Sequence, residues 1–322
     1  MALVSDIKKA QPNRIAVIFP GQGSQVVGMM SELAESYPQI RDTFAEASAA
    51  LGEDLWEICQ DEGQLNLTQY TQPALLTASI AVWRILEPKL ARVPCYLAGH
   101  SLGEYSALCA AGVLSFSDAI QLVHKRGLLM QQAVEGVDTA MAAVLGLDDS
   151  RVMTLCEQAT EHVDGAVVDA ANFNSPGQVV VSGNVAGVSA VIDKVQNTGK
   201  RAIPLKVSVP SHCALMRPAT HALSEILKHI TFNSATIPVI QNRHAKVETN
   251  AAGIKRALIE QLSEPVLWSQ TMQALTDKQI NILIECGSGN VLSNLAKRQA
   301  HPIISYPVDK PARFDKLMEI LL

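Results

Sequence analysis

Cys95 to Ala98 is a short apolar run, Gly99-His100-Ser101-Leu102-Gly103 follows at once, and an alanine-rich stretch continues to about Gly112. Strand, tight turn and helix in that order leave the chain few folds. A buried strand must deliver its last residues into a sharp, strained turn that lifts the serine hydroxyl clear of a sheet. Glycines at 99 and 103 leave space for that turn, and Ala107, Ala110 and Ala111 let the following helix approach its neighbours. The amide of Leu102, next after the serine and at a helix N-terminus, is placed to stabilise a developing oxyanion. The same five residues also suit a helix-capping serine between glycines. The strand before and the helix after favour Ser101 as an exposed nucleophile.

A second glycine loop ends a second strand. Arg14 to Phe19 is rich in Ile and Val and stops at Pro20, and Gly21-Gln22-Gly23-Ser24-Gln25 follows. Helical patterning covers Glu32 to Ala50 and Pro73 to Leu86. Between about Thr139 and Val207 the rhythm changes to six short elements. They are the strand Ala140 to Leu145, the helix Asp148 to Glu161, the strands Ala166 to Asn172 and Gln178 to Ser182, the helix Val185 to Asn197 and the strand Arg201 to Val207. This βαββαβ order predicts a small ferredoxin-like domain, residues 139–207, inserted into a larger one. Beyond Pro210 the α/β pattern resumes, with helices near Ala214 to His229, Ala252 to Leu262 and Trp268 to Leu275. The strand Ile280 to Glu285, the loop Gly287-Ser288-Gly289 and the helix Val291 to Ala300 close the pattern. The expected fold class is α/β: a hydrolase-like domain with a mostly parallel sheet, built from residues 10–138 and 208–322.

Composition narrows the partners. With 26 Lys and Arg against 31 Asp and Glu, no global basic field would recruit nucleic acid or anionic lipid. Six dispersed cysteines include no C-x-x-C pair and no zinc spacing, which predicts reduced thiols and no metal. Met1 to Pro20 carries Asp6, Lys8, Lys9 and Arg14 and so has no secretory apolar core, and no uncharged apolar run reaches the length of a membrane span. A cytoplasmic, monomeric enzyme is expected.

A serine hydroxyl needs an adjacent base. His100 is next to Ser101 but should project away from the turn, whereas His212 lies in a loop just before a helix, at the re-entry into the large domain. His212 is the better candidate on position. Asp118, Asp138 and Asp169 all fall between serine and histidine, so an acid-containing triad stays open on order alone.

Four segments together resemble the malonyl-CoA:acyl-carrier-protein transacylases of bacterial type II fatty acid synthesis. They are Pro20-Gly21-Gln22-Gly23-Ser24-Gln25, Gly99 through Leu108, Asn172-Phe173-Asn174-Ser175-Pro176-Gly177-Gln178, and Val209-Pro210-Ser211-His212-Cys213-Ala214-Leu215-Met216. The resemblance runs in register over about the whole chain. It implies that Ser101 forms the acyl-enzyme, that His212 is its base, and that the backbone carbonyl of Gln261, rather than an acid, orients His212. It implies an oxyanion hole from the Gln22 and Leu102 amides, and Arg126 as the holder of the malonyl carboxylate. A guanidinium suits that carboxylate in a bidentate pair, for which Lys125 would be a poor substitute.

The implied partners are malonyl-CoA and acyl carrier protein, with no cofactor. Acyl carrier proteins are acidic, so Lys200, Arg201, Lys297 and Arg298 are candidate contacts, with Lys206 and Arg217 behind them. Three departures stand out: Ser288 where relatives often have proline, Lys125 before Arg126, and the basic run Asn242-Arg243-His244. They touch loop geometry and carrier recognition, not the reacting groups. A serine hydrolase uses the same two groups; Arg126 and the lack of an evident acid partner favour transfer. A non-catalytic scaffold that binds the carrier would not need Ser101, His212 and Arg126 together.

Overall fold

The computed structural model describes residues 13–207 and 209–321. Residues 10–12 of the expected large domain, Ser208, Leu322 and most of the Met1 to Pro20 segment read for a leader lie outside the described residues.

Among the described residues nine strands form two sheets. They are β1 (Ile15–Phe19), β2 (Tyr96–Gly99), β3 (Thr139–Leu145), β4 (Val168–Ser175), β5 (Gln178–Asn184), β6 (Arg201–Pro204), β7 (Val239–Ile240), β8 (Ile282–Glu285) and β9 (Ile304–Pro307). The first sheet has the order β7-β2-β1-β8-β9, and all four of its pairings are parallel. Its central strands are apolar on both faces because both are covered. Val17 and Phe19 face one hydrophobic cluster, Ala16 and Ile18 another.

The consequence for function lies at the carboxyl ends of these strands, where loops of a parallel sheet gather. Gln22 follows β1, Ser101 follows β2, Asn242 follows β7 and Gly287-Ser288-Gly289 follows β8. Ser288 ties two of these loops, its hydroxyl donating to the Ser24 carbonyl at 2.9 Å. A hydroxyl thus makes a cross-loop bond that a proline at this position could not.

The second sheet, β4-β5-β3-β6, is wholly antiparallel. One face packs Ala142, Val144, Val179 and Val181 against the helices Asp149–His162 and Val185–Gln196. The other face carries Met141, Ala143, Ala171 and Val180. Strand β4 is also the seam to the rest of the molecule, since its Phe173 amide donates to the Val266 carbonyl and the Val266 amide to Ala171.

The helix expected over Val291 to Ala300 ends at Ala296, the one expected from Ala214 starts at Arg217 after a 3-10 turn, and three further elements change at a proline. The helix over Glu32 to Ala50 is two helices, Ser31–Ser36 and Gln39–Leu51, because the residue before Pro38 is driven out of helical backbone; Tyr37 has φ −134° and ψ 96°. The last strand of the small sheet stops at Pro204, which has no N–H for the ladder. The helix expected from Pro73 begins at Thr68, so Pro73 is internal and its missing N–H frees the Gln69 carbonyl. That carbonyl bonds His124 Nδ1 at 2.9 Å, which links this helix to the helix Phe116–Gln132. Gly127 lets the two backbones approach, as a Cβ there would strike the Gln69 backbone. Arg126 lies between these two contacts, next to Gly127.

Candidate active site

Ser101 has φ 52°, a left-handed backbone that a serine rarely adopts, and the glycines around it explain how the turn closes. A Cβ at Gly99 would collide with the Gly103 backbone, and one at Gly103 with the Phe19 carbonyl. Asn242 holds the turn from β7: its Oδ1 accepts the Ser101 amide at 2.6 Å and its Nδ2 donates to the Gly99 carbonyl at 2.5 Å.

The Ser101 hydroxyl lies 2.8 Å from His212 Nε2, and His212 Nδ1 lies 2.6 Å from the Gln261 backbone carbonyl. A carbonyl only accepts, so Nδ1 carries the proton and Nε2 is left as the acceptor facing Ser101. None of the three aspartates left open by chain order occupies the place of a triad acid. Asp169 accepts the Ala214 amide at 2.8 Å, and Asp118 is bonded to Ser115 at a helix start; Asp138 makes no hydrogen bond to His212. His100 points away from the Ser101 hydroxyl, Nε2 meeting Asn174 Oδ1 at 2.8 Å.

His212 is 1% exposed, and its imidazole is pulled down to about 3, first by burial and then by the charge of Arg126, with the Gln261 carbonyl opposing. The neutral, basic form therefore persists far into acid. We predict that kcat/KM for acyl loading stays flat from pH 8 to pH 5. A histidine at its ordinary value near 6.5 would lose about thirtyfold over that span. A limb falling through pH 6.5 would contradict the burial argument.

Arg126 is 1% exposed and ion-pairs with no carboxylate among the described residues. Its Nη1 donates to Gln72 Oε1 at 2.8 Å, its Nη2 to Gln261 Oε1 at 3.2 Å and to the Ser101 hydroxyl at 3.5 Å, and its Nε has no partner. A buried guanidinium without a counter-ion is costly, and a ligand carboxylate would relieve that cost. The Gln22 and Leu102 amides make no hydrogen bond among the described residues, and both line the same cleft of about 180 Å³ as Ser101, Arg126, Met141 and His212.

Lys200, Arg201, Lys297 and Arg298 lie at the surface. Arg201 pairs with Leu145, Leu145 with Gln178, and Arg298 Nη1 donates to Gln178 Oε1 at 2.9 Å, so these cations gather where the two sheets' surroundings meet. Three polar residues of the site are given no role by the sequence: Gln72, Asn242 and Glu104. Glu104 alone left a signal, a carboxylate within a stretch that is otherwise small or apolar. It is wholly buried, and burial pushes its carboxyl up to about 7 against the pull of the Asn242 amide, the Gln261 amide and Arg126. The basic run at 242–244 instead divides its tasks, with Arg243 near Glu260 and Glu264 and His244 on Glu248.

A strained serine after a parallel strand, a buried histidine fixed by a backbone carbonyl and two free amides in one cleft are the parts that acyl transfer through a serine requires. Residues 16–303 match the model of the acyl transferase domain family, and the chain belongs to that family, among the malonyl-CoA:acyl carrier protein transacylases. It is 47% identical over 310 residues to the malonyl CoA-acyl carrier protein transacylase of Escherichia coli K12, covering 95% of this chain and 99% of that one. The crystal structure of FabD from Acinetobacter baumannii superposes with a TM-score of 0.93 at 48% identity, covering 96% of this chain and 98% of the other. A malonyl-transacylase in complex with its type II polyketide synthase acyl-carrier protein gives 0.92 at 44% identity, covering 96% of this chain and 100% of that one.

Proposed function

We propose that this chain is a malonyl-CoA:acyl-carrier-protein S-malonyltransferase that works by ping-pong transfer through Ser101. The observation that carries this reading is the buried, unpaired Arg126 beside a bonded Ser101 and His212 pair. His212 Nε2 takes the Ser101 proton, the alkoxide attacks the thioester carbonyl, and the oxyanion is received by the Gln22 and Leu102 amides. The tetrahedral intermediate expels the CoA thiolate, which takes the proton from His212. The pantetheine thiol of the carrier then gives its proton to His212 and attacks the ester, and the second tetrahedral intermediate expels the Ser101 alkoxide, which takes the proton back from His212 as the malonyl thioester leaves. Arg126 pairs with the malonate carboxylate throughout. Thioester exchange on serine needs neither a metal nor a redox group, and the proposal includes none.

The same reading divides the chain into a hydrolase-like unit, residues 10–138 and 208–322, and a ferredoxin-like insertion, residues 139–207. The order β4-β5-β3-β6 with two helices on one face supports that label. It has the enzyme act as a cytoplasmic monomer; no helix among the described residues is long and apolar enough to cross a membrane. The acidic carrier is taken up by the patch of Lys200, Arg201, Lys297 and Arg298, beside the cleft mouth marked by the exposed Val291.

One experiment tests function and surface together. Purified enzyme loaded with malonyl-CoA should pass the group to carrier protein far faster than to water. Reversing Lys297 and Arg298 to Glu should lower kcat/KM for carrier about tenfold or more at low salt and leave transfer to free pantetheine unchanged. Release of free malonate at the carrier-dependent rate would make the protein a hydrolase. An unchanged carrier response would remove those two residues from the docking surface.

A further inference from the structure

Among the described residues no carboxylate bonds His212, yet one lies a step further back. Glu104 is 0% exposed and sits three residues after the nucleophile, on the first turn of the helix Gly103–Ala110. Its Oε2 accepts two hydrogen bonds, from the Asn242 backbone amide at 2.9 Å and from Gln261 Nε2 at 2.8 Å. Those two partners are the ones that fix the reacting groups. Asn242 holds the Ser101 amide and the Gly99 carbonyl. Gln261 gives its backbone carbonyl to His212 Nδ1, donates its side-chain amide to the Ser101 carbonyl at 3.1 Å, and accepts from Arg126.

The Gln261 amide has only one satisfactory orientation. A guanidinium only donates and a carboxylate only accepts, so Oε1 must face Arg126 and Nε2 must face Glu104. Glu104 thereby joins Arg126 and the Ser101 carbonyl in fixing which way the Gln261 side chain lies, and with it the place of the carbonyl beneath His212. We propose that Glu104 is a positioning residue of the transfer reaction: its buried carboxylate, acting through Gln261 and Asn242, sets the distance between Ser101 and His212. It acts by reach rather than by charge, since one oxygen carries both bonds and Oε1 has no partner. The proposal rests on Ser101 and His212 being nucleophile and base.

Reach and charge are separated by two conservative substitutions. Glu104→Gln keeps an acceptor oxygen at full length and loses the charge, whereas Glu104→Asp keeps the charge and falls one methylene short of both partners. Malonyl loading by the unaltered enzyme comes first, because its absence would end the nucleophile reading itself. Given loading, Glu104→Gln should keep kcat within about threefold, while Glu104→Asp should lose about ten- to a hundredfold in kcat at nearly constant KM for malonyl-CoA, the loss that misplacement by an ångström brings. In a Gln261→Ala background, which retains the backbone carbonyl, Glu104→Asp should cost several-fold less than in the parent, because one of the two routes it acts through is already cut and only the Asn242 amide remains. An active Asp variant beside an inactive Gln variant, a loss confined to KM, or additive losses in the double variant would each overturn the proposal.

Discussion

Ser101→Ala should carry no malonyl adduct in intact-protein mass spectrometry, where the unaltered enzyme gains one malonyl group, and transfer to carrier should fall by a factor on the order of 10⁴ or more. The substitution removes only the hydroxyl that meets His212 and Arg126; the Ser101 amide bond to Asn242 and the left-handed turn remain. Thermal stability should therefore stay close to that of the parent, which separates lost chemistry from lost folding. Cys213, next to His212 in sequence, is wholly buried, and burial pushes its thiol up to about 11, so at neutral pH it supplies no thiolate. A full adduct on the alanine variant would transfer the nucleophile role away from Ser101.

The sequence carried the parts of this site that depend on backbone shape. A strand, two glycines and a small-residue helix permit one kind of turn, and the structure places Ser101 in it at positive φ. The mostly parallel character of the large sheet and the βαββαβ order of the small one were likewise legible, because hydrophobic period and turn residues are local properties, whereas the edge strands Val239–Ile240 and Ile304–Pro307 were not. Element ends were less so. Tyr37 before Pro38 and Pro204 in β6 are strong local breakers, yet Pro73 lies inside a helix because tertiary contacts compensate it through His124.

Polar residues that act through space left little local trace. Asn242 reaches Ser101 across 141 positions of sequence and Gln261 reaches Glu104 across 157. Neither contact is implied by the residues around it, so both appear only once β2, β7 and the helix Ala251–Gln261 are assembled. Arg126 stands between these cases. Its helix is locally readable, but its burial follows from Gly127 packing on a neighbouring backbone.

Arg126→Ala should divide two reactions that the parent enzyme treats differently. Loading from malonyl-CoA should fall in kcat/KM on the order of 10²–10³-fold, the cost of removing one partner of a buried charge pair, while loading from acetyl-CoA should stay within about threefold or rise. The helix need not move, since the Gly127 approach and the His124 bond to Gln69 lie outside the guanidinium. What is lost inside is the donor to Gln72 and Gln261, two acceptors that water can satisfy in the space vacated. Arg126 also lowers His212 by its charge, so its loss raises the imidazole toward the ordinary range and moves the acid limb of the profile to higher pH. The comparison belongs at pH 8, where the base is neutral in both enzymes and the substrate effect stands alone. Arg126→Lys should fall between the two, because an ammonium restores the charge without the planar fork that engages both carboxylate oxygens. Equal losses for malonyl and acetyl would show that Arg126 supports the architecture around Ser101 and does not read the carboxylate.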